Sequence, residues 1–229
     1  LKSFHGSKSM QNLQNLVATF HEKFSHPCFS DVNFDTLRSK AVADLRLSLL
    51  KEEIDEGVTA EAILDDDDED EDAKVKAFIE IFDALLDVTV ITLGTACVYG
   101  LKLDSSEAKA EMIFFLENIG GNIFSPLQEQ FHFLQDNLNT LWSYPNTKSY
   151  LASAVLRNLQ DMLDMCVATA YLLNLPFEEG FVEVMASNMS KLGEDGNPIY
   201  REDGKILKGP NYFKPDLGKI VNAHIDKLS

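Results

Sequence analysis

Two stretches of this sequence place carboxylates at helical spacing. In Lys51-Glu52-Glu53-Ile54-Asp55-Glu56, Glu52 and Glu56 are four apart and share a helix face, and Glu53, three before Glu56, flanks it. Further on, Glu80, Asp83 and Asp87 recur at spacings of three and four, again on one face, within a strongly apolar run. Acids on an apolar helix are costly to bury unless they are paired or bound to metal. The nearest basic candidates, Lys51, Lys74 and Lys76, lie at the ends of these stretches. Two helices that each carry a carboxylate stripe can converge on a hard cation. Mg²⁺ takes oxygen ligands, keeps several waters and accepts phosphate oxygens, with Mn²⁺ as a substitute of similar preference. Such a site joins metal to phosphate, and a spare carboxylate can orient or deprotonate an attacking water. A Glu-Glu pair on a single helix reads more simply as a solvated face. The apolar surroundings of Glu80, Asp83 and Asp87 argue for the sharper reading.

The elements that must position these residues are helical. Apolar residues at helical spacing predict helices over 12–24, 35–58, 73–100, 105–120, 126–141, 149–173 and 177–191. Helix 35–58 would bury Leu37, Val42, Leu45, Leu49 and Ile54 and stop near Gly57. Helix 73–100, apolar all round, belongs in the core. Alternating β-branched runs are nearly absent, so the expected fold is all-α, a helical bundle. The run of eight acids over 65–72 (DDDDEDED) repels itself and predicts a solvated loop over 60–72. Beyond Lys191, segment 192–216 is rich in Gly, Pro, Asp, Asn and Lys. Its turn signals at Glu194-Asp195-Gly196 and Glu202-Asp203-Gly204 predict a short hairpin or ordered loop around Tyr200 and Ile206. Lys191, Arg201, Lys205, Lys208 and Lys214 make it a basic segment in an acidic chain.

A faint internal repeat is present. Asp87 and the seventeen residues after it align without a gap on Asp161 and the residues after it. Each copy is an acid, an apolar helix of about thirteen residues, a Gly or Asn, and then Leu-x-Leu or Leu-x-Phe. The expected organisation is a single domain over 1–229. A first helical unit spans about 11–103, a degenerate second unit about 104–191, and a C-terminal loop segment 192–229.

The chain has 229 residues and a net charge of −17. A polyanion is a poor partner for nucleic acid, which demands a basic face. The apolar stretch 78–101 carries three acids, so no membrane-spanning segment is expected. Residues 1–10 show no apolar signal-peptide core. Cys28, Cys97 and Cys166 make no disulfide framework; they read as buried thiols of a reducing, cytoplasmic compartment. The five histidines show no HExxH spacing, and no CxxC, GxSxG or Walker loop occurs.

These residues resemble a known family. Arg46-Leu-Ser-Leu-Leu-Lys-Glu-Glu-Ile-Asp-Glu56 is similar to the EExxE helix of the MazG-like all-α nucleoside triphosphate pyrophosphohydrolases, which include phosphoribosyl-ATP pyrophosphohydrolase and the dimeric dUTPases. Phe82-Asp83-Ala-Leu-Leu-Asp87-Val with Thr92-Leu-Gly-Thr-Ala96 resembles the family's DALxD helix and downstream LGTA. Ser187-Asn-Met-Ser-Lys191, Asp195-Gly196, Arg201-Glu-Asp-Gly-Lys205 and Lys208-Gly-Pro-Asn-Tyr-Phe213 resemble the C-terminal segment of one branch. The resemblance covers roughly 12–103 and 177–217. It implies Mg²⁺ dependence and cleavage of a nucleotide to a monophosphate and pyrophosphate, as in nucleotide-pool house-cleaning. It carries metal binding onto Glu52, Glu53, Glu56 and Asp87, with Asp83 or Glu80 as a further ligand. Glu52 or Glu53 would hold the catalytic water, and Lys191, with Asn188, Lys208 and Tyr212, would contact substrate.

Two departures from the shorter family pattern are the acidic run and an insertion over about 104–158. The internal repeat accounts for the insertion if the second unit supplies a packing partner that shorter relatives obtain by oligomerising. A homodimer remains compatible with the apolar helices. Two other function classes compete. One is an acidic helical scaffold for a basic partner, which would need exposed acids. The other is a non-catalytic nucleotide or metal sensor using the same residues, which only an activity measurement separates from an enzyme.

Overall fold

The structure, a computed structural model, describes residues 11–104, 108–119, 122–144, 148–201 and 206–228. The described residues form helices α1 (Gln11–Lys23), α2 (Phe34–Leu37), α3 (Lys40–Leu64), α4 (Glu71–Tyr99), α5 (Ala110–Ile119), α6 (Ser125–Ser143), α7 (Lys148–Leu172), α8 (Phe177–Met189) and α9 (Leu217–Leu228). The all-α expectation holds. The β-type pairing among the described residues is one antiparallel bridge, Tyr200 to Ile206, supported by Leu207 N–H donating to the Ile199 carbonyl at 2.8 Å. The turn at Gly196 is present, with φ 75°; the second turn signal, at 202–204, lies outside the described residues.

α3 and α4 run antiparallel across a short connection and pack along their lengths, as do α6 and α7. The two pairs meet through α4 against α7 and α3 against α6, while α1 covers α4 and α5 covers α7. α4 is the axis of the molecule. It is long and apolar enough to cross a membrane by length and composition, but 78% of that stretch is buried by the other helices. Ile81, Phe82, Leu85, Leu86 and Leu93 are almost wholly enclosed. Each such side chain stabilises the fold by about 1.5–3 kcal/mol relative to exposure.

The two aligned copies end alike. After α4, Gly100 (φ 67°) starts a left-handed cap in which Leu101 N–H reaches the Ala96 carbonyl at 2.8 Å. After α7, Asn174 (φ 53°) does the same, with Leu175 N–H on the Ala170 carbonyl at 2.8 Å. Gly and Asn are the residues that tolerate this conformation.

Several expectations are corrected. The single helix over 35–58 is two helices, because polar caps interrupt it. The Asn33 side chain accepts from Asp35 N and Thr36 N at 3.1 and 3.0 Å and starts α2. Ser39 Oγ accepts from Val42 N at 3.3 Å and starts α3. Leu45 is exposed, and the buried face is Ala43, Leu47, Leu50 and Ile54 together with Arg46. Gly57 does not end α3; it is the seat of Phe124, whose ring atoms would lie 2.2 Å from any Cβ there. The loop expected over 60–72 is much shorter. α3 runs on to Leu64 and α4 begins at Glu71, with Asp70 capping Ala73 N at 2.8 Å. Glu71 and Asp72 occupy the first turn, where the helix dipole favours acids. Segment 192–229 is not all loop, since α9 follows Asp216, whose carboxylate caps Lys219 N at 3.1 Å. α9 buries Leu217 and Val221. Cys28 is exposed, while Cys97 and Cys166 are buried.

Candidate functional site

The α3–α4 interface opens into a cleft of about 570 Å³ lined by Glu52, Glu53, Asp55, Glu56, Thr59, Ala60, Glu80, Asp83, Ala84, Asp87 and Lys214. Both predicted carboxylate stripes therefore face one space. The reason is local. Leu50, Ile54 and Gly57 bury the inner face of α3, which leaves Glu53 and Glu56 at the edge of the interface with α4. On α4, Ala84 is small enough to leave room between Asp83 and Asp87.

The register of the two helices is set two turns away. The buried Arg46 donates through Nε to Thr95 Oγ1 at 2.9 Å and through a terminal nitrogen to the Ile91 carbonyl at 2.8 Å. A Cβ at Gly94 would sit 2.8 Å from both the Arg46 guanidinium and His21 Nε2, so a larger residue there would displace one of these two buried side chains. Arg46, Gly94 and Thr95 thus clamp α3 to α4. Burial among neutral partners lowers the Arg46 pKa to about 10.

The electrostatics of the cleft are unfavourable to its own charges. Burial, then repulsion from Asp87, Glu56, Glu52 and Asp83, raises Glu53 to about 8. Burial and Asp83 raise Asp87 to about 7, with Lys191 pulling the other way and Glu56 adding to the rise. Asp83 is raised chiefly by burial, opposed by Lys214 and reinforced by Glu80. The outer acids are partly neutralised by neighbours one helical turn away. Lys51 pairs with Asp55, and Lys76 reaches Glu80 at 3.5 Å. Glu80 thus sits at the exposed mouth, and Asp83 lies deeper. The carboxylates share a cleft without being drawn to a common point: among the described residues, no group of three His, Cys, Asp or Glu side chains is arranged to hold a metal ion.

The C-terminal segment reaches the cleft by being strapped along α8. Ser187 Oγ donates to the Phe213 carbonyl at 2.8 Å, Phe213 N–H donates to Ser190 Oγ at 3.2 Å, and Asp216 N–H donates to Glu183 Oε1 at 3.2 Å. Gly209 N–H donates to the Lys191 carbonyl at 3.1 Å, an approach so close that a Cβ at 209 would lie 2.0 Å from the Leu192 carbonyl oxygen. Lys191 donates to Asn188 Oδ1 at 2.7 Å and its charge acts on Asp87, but neither Lys191 nor Asn188 lines the cleft. Lys208 and Tyr212 are elsewhere. The Lys208 ammonium sits 4.4 Å over the Tyr212 ring, and neither lines the cleft.

Sequence reasoning did not single out Lys214. Its signal was indirect: the serines and glycine of SNMSK and KGPNYF, which strap the chain to α8, fix where the next lysine falls. Compared with protein-family profiles, with curated proteins and with solved structures, the chain matches none.

Proposed function

We propose that this protein is a Mg²⁺-dependent nucleoside triphosphate pyrophosphohydrolase, cleaving an NTP or dNTP to the monophosphate and pyrophosphate. The observation that carries the reading is that Glu52, Glu53, Glu56, Asp83 and Asp87, from two helices, line one cleft beside Lys214. The donor set is all oxygen, which suits Mg²⁺ or Mn²⁺ over softer metals. The raised pKa values of Glu53 and Asp87 mark a site whose excess negative charge a divalent cation relieves. Glu52, Glu53, Glu56 and Asp87 would hold the metal, with Asp83 preferred to Glu80 because Glu80 sits at the mouth against Lys76. Bound there, the cation would screen the triphosphate and acidify water.

The chain's own residues account for the remaining steps. Glu52 or Glu53 orients a water for in-line attack on the α-phosphorus and takes its proton. The bond from the α-phosphorus to the bridging oxygen breaks, and pyrophosphate leaves. Lys214, which lines the cleft, and Lys191, whose charge acts on Asp87, neutralise charge on the departing phosphates.

The test is a panel of ribo- and deoxyribonucleoside triphosphates incubated with Mg²⁺, with products separated by anion exchange. Monophosphate and pyrophosphate are expected from at least one. Diphosphate and phosphate would place the cut at the wrong bond. No product from any, with Mg²⁺ or Mn²⁺, would overturn the reading in favour of a binding protein.

A further inference from the structure

Segment 25–33 joins α1 to α2 and lies against the last turn of α4. Phe29 N–H donates to the Cys97 carbonyl and Asn33 N–H to the Tyr99 carbonyl, both at 2.9 Å. The Asp31 carbonyl oxygen comes so near Gly100 that a Cβ there would be 1.8 Å away. The segment is thus held in fixed register beside α4. The exposed Cys28 and the buried Cys97 line one cavity of about 680 Å³ together with Gln14, Phe29, Leu93 and Lys102. The Phe29 N–H bond to the Cys97 carbonyl brings the residue beside Cys28 directly against Cys97, and both cysteines face the same cavity. Cys166 is buried and does not line this cavity.

We propose that Cys28 and Cys97 are a reversible oxidation site that closes to an intrachain disulfide when hydrogen peroxide enters this cavity. The Cys28 sulfur, accessible to solvent, attacks the peroxide O–O bond. It becomes a sulfenic acid as the first water forms. The Cys97 sulfur then displaces the sulfenic oxygen, its proton leaves with that oxygen as a second water, and the S–S bond forms. Two thiols are oxidised and one hydrogen peroxide is reduced. The order follows from access: Cys28 is exposed and Cys97 buried, so the peroxide meets Cys28 first. The bond would close a loop containing α2, α3 and most of α4, and hence every carboxylate of the cleft. It would fasten the segment next to Phe24, whose carbonyl accepts from the Tyr200 hydroxyl. The site is independent of the proposed activity.

The experiment treats the full chain with hydrogen peroxide, alkylates remaining thiols and maps peptides by mass spectrometry. The expected result is loss of two hydrogens from the intact mass, a Cys28–Cys97 cross-linked peptide, and reversal by dithiothreitol. Cys166 should be alkylated only after unfolding. Cys28→Ser, at an exposed position, should abolish the mass change. In Cys97→Ser, Cys28 should stop at a sulfenic acid that dimedone traps. A chain-to-chain disulfide through Cys28, or a Cys28 sulfinic acid beside a free Cys97 thiol in the unsubstituted protein, would overturn the proposal.

Discussion

The α3–α4 and α6–α7 pairs are built alike and filled oppositely. Between α6 and α7, the buried Asn158 accepts from Asn137 Nδ2 at 2.6 Å and donates to Gln130 Oε1 at 3.1 Å. In the register that lays Asp161 on Asp87, Asn158 falls on Ala84, which lines the acidic cleft. One pair therefore closes its interface with neutral amides that satisfy one another. The other keeps it open with a small residue and surrounds it with carboxylates that repel. Asp164 of the second pair is also compensated, pairing with Lys109 and accepting from Gln160 Nε2 at 2.9 Å, while Asp161 beside it is raised by burial and by Asp164, with Arg157 and Lys109 opposing. A chain selected for stability alone would treat both interfaces as it treats the second. The retained repulsion in the first is the feature on which the proposed metal site rests.

That contrast can be broken experimentally. The largest effect is expected from Glu53→Gln, which should lower Mg²⁺-dependent turnover ~100-fold or more while circular dichroism stays unchanged. Near-normal turnover would remove Glu53 from the chemistry. Lys214→Ala should reduce turnover by roughly ten-fold, with thermal stability little changed; an unaltered rate would leave Lys214 as a surface neighbour of Asp83.

Exchanging the fillings sharpens the comparison. Asn158→Asp buries a charge in the amide network and should cost about 1–3 kcal/mol, read as a lower Tm, with activity per folded molecule retained. Ala84→Asn should occupy the cleft, cutting turnover more than stability. If both substitutions changed only stability, the two interfaces would be equivalent after all.

The smallest effects concern pH in chelator-treated protein. Glu53 is raised in the folded state to about 8. Its contribution is therefore complete below its unfolded value and is lost as pH rises through about 8. His21, lowered from 6.5 to about 4 chiefly by burial, works in the opposite direction. Its contribution is present above 6.5 and is lost as pH falls toward 4. Wild-type Tm should thus fall as pH rises from neutral toward 8. Glu53→Gln should flatten that decline in part, since Asp87 titrates with the same sign. It should leave the acid-side decline intact. Added Mg²⁺ should raise the wild-type Tm more than that of the variant. Parallel pH profiles for the two proteins would mean that Glu53 is not strained by its neighbours.

Much of this was legible along the chain. Period-3.6 apolar spacing located the long helices, and the three-and-four spacing of the acids placed each stripe on one face. Residues whose meaning depends on a distant partner were not legible. Leu45 looked like core and is exposed, because Arg46 takes the inward position against Thr95. Gly57 looked like a terminator, but Phe124 packs on it from 67 residues away. α9 carried its own signal, Asp216 before Leu217, Ile220 and Val221, obscured by the Gly- and Pro-rich residues that precede it.

Local physics sets what a sequence states by itself: helical propensity, caps, and which side chains share a face all act over a few residues. On those terms the chain specifies an all-α protein with two acidic stripes. Tertiary structure alone decided that the stripes face each other, that Lys214 joins them while Lys208 stacks on Tyr212 instead, and that Cys28 comes beside Cys97. Those outcomes depend on how rigid helices dock, and docking follows the summed burial of dozens of side chains rather than any one motif.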